Sequence, residues 1–455
     1  MRLNILKLSH LAVPHTHEGA PAHVLTTEQT LRRSVLSCML WEDEFYENGA
    51  EIASRIRELV PRVEAERVAA LAVEAREWMK LRHTPLLLVR EMARHATHRA
   101  LVAETLERVI QRADELAEFT AIYWAGGRQP LSAQVKKGLA RAFVKFDEYA
   151  LAKYDRAGAV RLRDVLFLSH ARPADAKQEA LWKRLAANEL ATPDTWEVAL
   201  SAAGRGEGNS KTGNKRETWE RLLTERRLAS LALLRNLRNI REAGTDEAMV
   251  LAALAEMKTD RVLPFRFLAA ARHAPQWENA LEKAMFRSLE GRDGKLAGHT
   301  LLLVDVSGSM DAAISARSEM RRADAAYGLA ILLREIAEKV TIYTFSEDAK
   351  LIPARRGMAL RDALDGSQPH MGTYLGRALN TALDASRNRY DRVVVITDEQ
   401  THDHMPAPRD RGYVVNVASY RNGVGYGKWT HIDGWSEAVL DYIAALEAGE
   451  TVPLA

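Results

Sequence analysis

The sequence predicts two folds in one chain: an all-helical solenoid over residues 1–295 and a doubly wound α/β domain over residues 296–455. Three observations carry this. Up to about residue 295 strand periodicity is almost absent, and amphipathic runs rich in Ala, Leu, Arg and Glu follow one another with short connections. From residue 299 onward, short apolar runs alternate with helical patterns, as a sheet with helices on both faces requires. Between the two lies Gly291-Arg-Asp-Gly-Lys295, a natural linker.

Thr26-Thr-Glu-Gln29 has the form of a capping box opening a helix from about Glu28 through Trp41. Another opens near Trp41 and runs from Gly49 through Val60, stopped by Pro61, and helices near 63–81, 86–93, 98–122 and 133–150 follow, the last capped by Ser132. Ala159 to Ser169 forms a helix that ends in Ser169-His170-Ala-Arg172-Pro173, where the proline forbids continuation. Thr192-Pro193-Asp194 opens a further helix with a hydroxyl cap, a proline at the first position and an acid in the first turn. Residues 203–217 read as a long glycine-rich basic loop, after which the apolar stripe runs from Trp219 to a stop at Gly244. Helices near 246–257, 260–273 and 276–289 complete the region. Helix pairs without a sheet are expected to stack as an α-solenoid of the HEAT type, although no fixed sequence period is visible. The second half reads as strand 299–305, helix 321–338, strand 340–346, helix 373–388, strands 391–397 and 412–418, and a closing helix 434–447.

A chain of 455 residues with a hydrophobic fraction of 47% is long enough for two sizeable cores and has the composition of a soluble protein. No signal peptide and no membrane-spanning run is recognisable, so a cytoplasmic location is expected. The single cysteine, Cys38, permits no internal disulfide and reads as a small buried hydrophobe rather than a nucleophile. Charge is unevenly shared: residues 296–455 hold 17 Lys+Arg against 21 Asp+Glu, whereas residues 126–241 hold 23 against 13. A basic middle attracts phosphates, but a solvated helical surface has the same composition.

Chemistry concentrates in Leu-Leu-Leu-Val-Asp-Val-Ser-Gly-Ser-Met, residues 301–310. Asp305, Ser307 and Ser309 alternate with Val306 and Gly308, so three oxygen-bearing side chains converge at the carboxyl end of a buried strand. One carboxylate and two hydroxyls suit a hard divalent cation, Mg²⁺ above all. Met371-Gly-Thr373 adds a hydroxyl at the opening of a helical stretch, and the strand Arg392 to Thr397 delivers the carboxylate of Asp398. A polar turn with Ser309 as helix cap is the plain alternative. The order Asp305, Ser307, Ser309, Thr373, Asp398 resembles the metal-ion-dependent adhesion site of the von Willebrand factor A domain.

The helical half resembles the TROVE module of the Ro autoantigen family. The likeness rests on Lys153-Tyr154, on Arg163-Asp-Val-Leu-Phe-Leu-Ser-His-Ala-Arg-Pro173, on the segments around Trp196 and Trp219, on Ala232-Leu-Leu-Arg-Asn-Leu-Arg-Asn239 and on Leu263-Pro-Phe-Arg266. TROVE followed by an A-domain is also the Ro order, and His17-Glu-Gly-Ala20 and Trp41 to Glu47 are similar to the bacterial branch. The resemblance implies a ring of HEAT-like helix pairs closed by the A-domain, with a basic hole for the single-stranded 3′ ends of misfolded or unprocessed noncoding RNA. It also implies an outer face for Y-like RNA, work alongside an exoribonuclease, and a monomer. His170 then stands at an RNA-contacting histidine and Lys153 at a basic position of the outer face.

On residue chemistry, His170 follows a helix end among Arg163, Arg172 and Lys177, where an imidazole can pair with phosphate or stack on a base; satisfying its own helix's carbonyls is the other reading. Lys136 and Lys137, with Arg141 and Lys145 at the fourfold spacing from Lys137, form a basic stripe that is either an RNA face or a solvated one. Arg235 and Arg238 flank buried positions and serve RNA contact or structural bridging equally. Arg205, Lys211, Lys215 and Arg216 either clamp RNA or ride an unstructured tip. His15, His17, Glu18 and His23 lack a metalloprotease spacing and are expected to cap or line a turn, and His402-Asp-His404 to frame the metal site from outside. No phosphate loop, paired catalytic carboxylates or Ser-His-Asp arrangement emerges, so a non-enzymatic RNA-binding scaffold for RNA quality control or maturation is expected. The alternative is a metal-dependent protein-interaction adaptor working through the A-domain.

Overall fold

The computed structural model describes residues 14–36, 47–191, 193, 195–203, 211–259, 262–290, 296–314, 320–387, 389–418, 420–436 and 438–449. Cys38, Thr192, Asp194, the linker 291–295, Arg205 and the stretch from Trp41 to Tyr46 lie outside them.

The first half is helical among the described residues: α1 Thr27–Leu36, α2 Gly49–Leu59, α3 Ala65–Glu77, α4 His83–Arg94, α5 Val102–Val109, α6 Asp114–Tyr123, α7 Ala133–Phe143 and α8 Glu148–Tyr154. There follow α9 Leu162–Ser169, α10 Ala176–Ala187, α11 Trp196–Ala203, α12 Lys211–Thr224, α13 Ser230–Glu242, α14 Glu247–Glu256, α15 Pro264–His273 and α16 Glu278–Leu289. Helices pack on the helix two further along: α3 on α5, α5 on α7 and α7 on α9, then α12 on α14, α13 on α15 and α14 on α16. That alternation makes two stacked layers, the solenoid expected of successive helix pairs. Close approach is built in at Gly138 of α7, where a Cβ would stand 2.9 Å from Ala103 O and from Leu106 Cβ of the α5 region.

Several boundaries depart from the sequence reading. The expected helix 98–122 breaks between α5 and α6, because Glu115 accepts hydrogen bonds from the backbone of Gln111 and Arg112 (2.8 and 3.0 Å) and is paired with Arg76 (2.7 Å). The expected helix 133–150 breaks where Asp147 caps α8 by accepting from Ala150 N, 2.8 Å. Residues 211–217 are not loop but the first turns of α12, with Arg216 and Glu220 paired across one turn at 2.7 Å. The helix expected from 219 to 244 is α12 and α13, separated at Arg226, whose φ is 55°. Helix α10 is an addition to the sequence reading. The capping boxes of Thr26 with Gln29 and the Ser132 cap are present.

The second half contains β1 Leu296–Asp305, α17 Arg322–Ile336, β2 Ala337–Phe345, β3 Ala349–Leu351, α18 Gly357–Asp365 and α19 Leu375–Ala385. It closes with β4 Arg392–Thr397, β5 Arg411–Asn416, β6 Thr430–Asp433 and α20 Ala438–Glu447. The sheet order is β3-β2-β1-β4-β5-β6, parallel except for β3, and β1 sits at its centre between β2 and β4. Leu301 and Leu303 face one core with Leu375 and Leu379, while Leu302 and Val304 face the other with Leu329 and Leu333. Both faces are therefore covered, as the uninterrupted apolar strands require. Strands β3 and β6 and helix α18 are additions to the sequence reading, and α19 begins at Leu375, so Thr373 precedes the helix instead of opening it.

The helical array meets this domain at both ends. At one end α15 packs on α17, with Arg272 Nη1 donating to Asp324 (2.6 Å) and Gly328 placed so that a Cβ would meet Phe265 at 2.9 Å. At the other, α1 reaches β6, and Arg33 is buried against Glu399. The solenoid closes into a ring through the α/β domain.

Candidate metal centre and nucleic-acid interface

Strands β1 and β4 are neighbours in register, Val304 beside Ile396, so Asp305 and Asp398 emerge together at the carboxyl edge of the sheet. Both are fully buried. Asp305 Oδ1 accepts from Ser307 N at 2.8 Å and its Oδ2 accepts from Thr397 Oγ1 at 2.6 Å. Ser309 Oγ donates to Asp398 Oδ2 at 2.6 Å and lies 3.3 Å from Ser307 Oγ. Four of the five expected residues thus form one hydrogen-bonded group. Thr373 is held beside it, since Gly308 N donates to Met371 O at 2.9 Å and His402 N donates to Thr373 O at 2.9 Å. Ser307, not Ser309, stands at the N-cap position of the short turn Gly308–Asp311, and its side chain makes no capping hydrogen bond there. Capping therefore does not account for the whole group.

The donor set fits a hard dication. It is all oxygen, combines two carboxylates with three hydroxyls, and offers no soft ligand. Burial, and next the Asp398 carboxylate, push the Asp305 carboxyl up to about 7, a penalty that a cation between the two acids would remove. Among the described residues no group of three or more His, Cys, Asp or Glu side chains converges elsewhere as a metal cluster, and His15, His17, Glu18 and His23 do not form one. His17 and Glu18 lie in a turn, anchored by Thr16 Oγ1 donating to Thr401 O (2.8 Å) and His17 N to Gln400 Oε1 (2.7 Å), whereas the His23 ring stands outside it, 6.2 Å from that of Tyr426.

His402 frames the site from outside. Its ring stacks on Tyr374 (5.0 Å between centroids), its Nδ1 accepts from Thr373 N at 3.4 Å, and Nε2 lies 3.1 Å from Glu18 Oε2. Asp403 caps α19 from another loop, accepting from Gly376 N (2.9 Å) and Arg377 N (2.7 Å). The N-terminal segment and the start of α19 therefore meet on the loop after Asp398.

The expected RNA residues fall into two groups. Helices α7 to α10 pack together and carry Lys136, Lys137, Arg141, Lys153, Arg163, with His170 and Arg172 just after α9. His170 is exposed in the left-handed conformation (φ 55°) that ends α9, and among the described residues its ring makes no bond to the helix carbonyls. Phe167, three residues earlier, is 63% exposed. Lys153 lies 5.8 Å from the rings of Tyr149 and Tyr154. The stripe is weaker than its spacing suggests: Arg141 is paired with Glu107 at 3.4 Å, and Lys145 donates to the backbone oxygens of Glu107 and Ile110.

Arg235 stands apart, on α13. It lines an open groove of about 610 Å³ between α13 and α15, together with Arg238, Arg266, Arg272, His273 and Met320. Enclosure in the groove, and then the neighbouring Arg235 charge, lower the proton affinity of the Arg266 guanidinium. Among the described residues neither Arg235 nor Arg266 has a carboxylate partner. Sequence reasoning missed Arg266; its signal was the spacing of cations on two helices whose packing the sequence does not show.

Residues 183–296 match the TROVE domain and residues 300–400 the von Willebrand factor type A domain. The crystal structure of the Ro (RSR) protein of Deinococcus radiodurans aligns with 94% of this chain and 100% of its own at a TM-score of 0.60 and 18% identity. An aerotolerance-related membrane protein of Bacteroides fragilis aligns with 26% of this chain and 66% of its own, at 22% identity and a TM-score of 0.22. Among curated proteins none matches. Among the described residues no helix is long and apolar enough to cross a membrane.

Proposed function

We propose that this chain, in which a match to the TROVE domain precedes a match to the von Willebrand factor type A domain, is an RNA-binding scaffold of the Ro type that does no covalent chemistry. The observation that carries this is the pair Arg235 and Arg266, two guanidinium groups crowded in one groove with no acid beside them among the described residues. Such a pair is stabilised by an external polyanion, and the groove is open enough to take an extended single strand.

In this reading the groove takes the 3′ ends of misfolded or unprocessed noncoding RNA in the cytoplasm and hands them to an exoribonuclease. The face carrying Lys136, Lys137, Lys153, Arg163, Phe167, His170 and Arg172 serves a structured, Y-like RNA, with exposed rings for stacking and cations for phosphates. Asp305, Ser307, Ser309, Thr373 and Asp398 would hold a divalent ion, Mg²⁺ by donor chemistry, which supplies Lewis acidity toward an external oxygen ligand. The chain's own residues do the positioning: Thr397 and Ser307 N orient Asp305, and Gln400 N, at 3.2 Å, orients Asp398.

The test is a salt series of single-stranded RNA binding by the full monomeric chain. Steep loss of affinity with salt is expected, and Arg235→Glu with Arg266→Glu should flatten the slope. Unchanged affinity in that double variant, or metal-dependent RNA cleavage abolished by Asp305→Ala, would overturn the scaffold reading. A second reading, a protein adaptor, is favoured by Met371, 57% exposed two residues from Thr373. It predicts a partner lost with Asp398→Ala while RNA binding persists.

A further inference from the structure

One residue beside the metal centre has no place in the five-residue pattern. Arg322, the first residue of α17, is 1% exposed, and its Nη1 lies 3.6 Å from Asp398 Oδ2, the same oxygen that accepts from Ser309. We propose that Arg322 is a resident cation of this site that competes with the divalent ion for Asp398 and sets its affinity low. The proposal rests on the reading that the site takes a metal.

The charges decide the direction. Two fully buried carboxylates cost a large desolvation penalty unless positive charge accompanies them. In the ion-free protein Arg322 supplies it to Asp398. A dication bound through Ser309 and Asp398 must sit within a few ångströms of the same oxygen, and there it meets the guanidinium as a like charge. Either the side chain leaves or the ion binds weakly.

The backbone cannot retreat to relieve this. Arg322 N donates to Ala312 O at 3.0 Å, two residues later Asp324 accepts from Arg321 N at 2.7 Å, and Arg272 of α15 donates to Asp324 at 2.6 Å. Arg321 points elsewhere, to Asp311 at 2.8 Å and Asp365 at 2.7 Å. Only the Arg322 side chain is left to move, so each binding event carries the cost of moving it. Reversible ion occupancy follows, controlled from the start of a helix that also anchors the helical array.

The experiment is Mn²⁺ titration of the full chain by calorimetry, comparing wild type, Arg322→Met and Arg322→Lys, with Asp305→Ala as the empty control. Arg322→Met is expected to bind Mn²⁺ at least about tenfold more tightly than wild type, because the charge is removed while the volume is kept, and Arg322→Lys to stay near wild type. Equal or weaker binding by a folded Arg322→Met overturns the role of Arg322 and leaves the metal site standing. Absence of Mn²⁺ binding in every variant overturns the metal site, and this proposal with it. Should Arg322→Met fail to fold, a wild-type crystal soaked in Mn²⁺ decides: displacement of the guanidinium from Asp398 is expected, and a guanidinium still at 3.6 Å beside a bound ion refutes competition.

Discussion

Two arginine-rich regions of this ring look alike in composition and differ in every other respect. At the seam between α1 and the A-type domain, Arg33 is buried with Glu399, His431 and Asp433, and Arg32 is paired with Glu74 at 2.8 Å. In the groove between α13 and α15, Arg235 and Arg266 line the same space with no acid among the described lining residues. The seam uses arginine to hold two domains together; the groove leaves arginine charge for something from outside. Counting cations distinguishes neither, whereas counting the acids within reach of each distinguishes both.

The sharpest way to break the comparison is at the seam. Arg33→Met strands the buried Glu399 carboxylate, held far below its usual pKa range mainly by Arg33 against the opposing effect of burial, and should cost about 3–5 kcal/mol. Chemical denaturation would measure it, and a loss under about 1 kcal/mol would mean that the seam is not structural. The double variant Arg33→Met with Glu399→Gln should recover much of the loss.

Next comes pH. Burial alone would lower the His431 pKa, but Glu399 and Asp433 outweigh it and push it up to about 9, with Arg33 and Tyr426 also facing the ring. A raised folded pKa stabilises through the imidazolium: the contribution is complete below the ordinary value near 6.5 and is lost as pH rises through about 9. Melting temperature should therefore fall across that window, and His431→Gln should flatten the fall.

The groove should respond in the opposite sense. Arg235→Glu with Arg266→Glu is expected to weaken single-stranded RNA binding at least about tenfold, or ~1.4 kcal/mol, with no loss of stability. A drop in melting temperature would instead mark these arginines as structural. Smaller still, Asp403→Ala removes the cap of α19 and should cost about 1 kcal/mol in denaturation. Arg141→Ala, which breaks only an exposed pair with Glu107, should change stability by less than about 0.5 kcal/mol.

Legibility follows the range of each interaction. Asp305, Ser307, Ser309 and Asp398 could be named from the sequence because strand ends and residue alternation fix them locally, and the structure joins all four by hydrogen bonds. Helix boundaries were readable where the cap is local, as at Thr26 and Ser132. They failed at Glu115, which Arg76 holds from a distance, and also at Asp147, whose local cap on Ala150 N interrupts an otherwise continuous helical pattern. The basic stripe of Lys137, Arg141 and Lys145 was correct as a spacing, but Glu107 and two backbone oxygens take up part of its charge.

By itself, the sequence determined the periods: apolar spacing for a helical array, apolar runs for a central parallel sheet, and an alternation of oxygens after its middle strand. Those are properties of neighbouring residues, and a short window contains them. Only the tertiary structure decided which charges are spent. Arg33 meets Glu399 across 366 positions, Arg322 meets Asp398 across the domain, and Arg235 and Arg266 line one groove from two different helices. Electrostatic interaction depends on distance in space and on burial, and neither is written in the order of the residues.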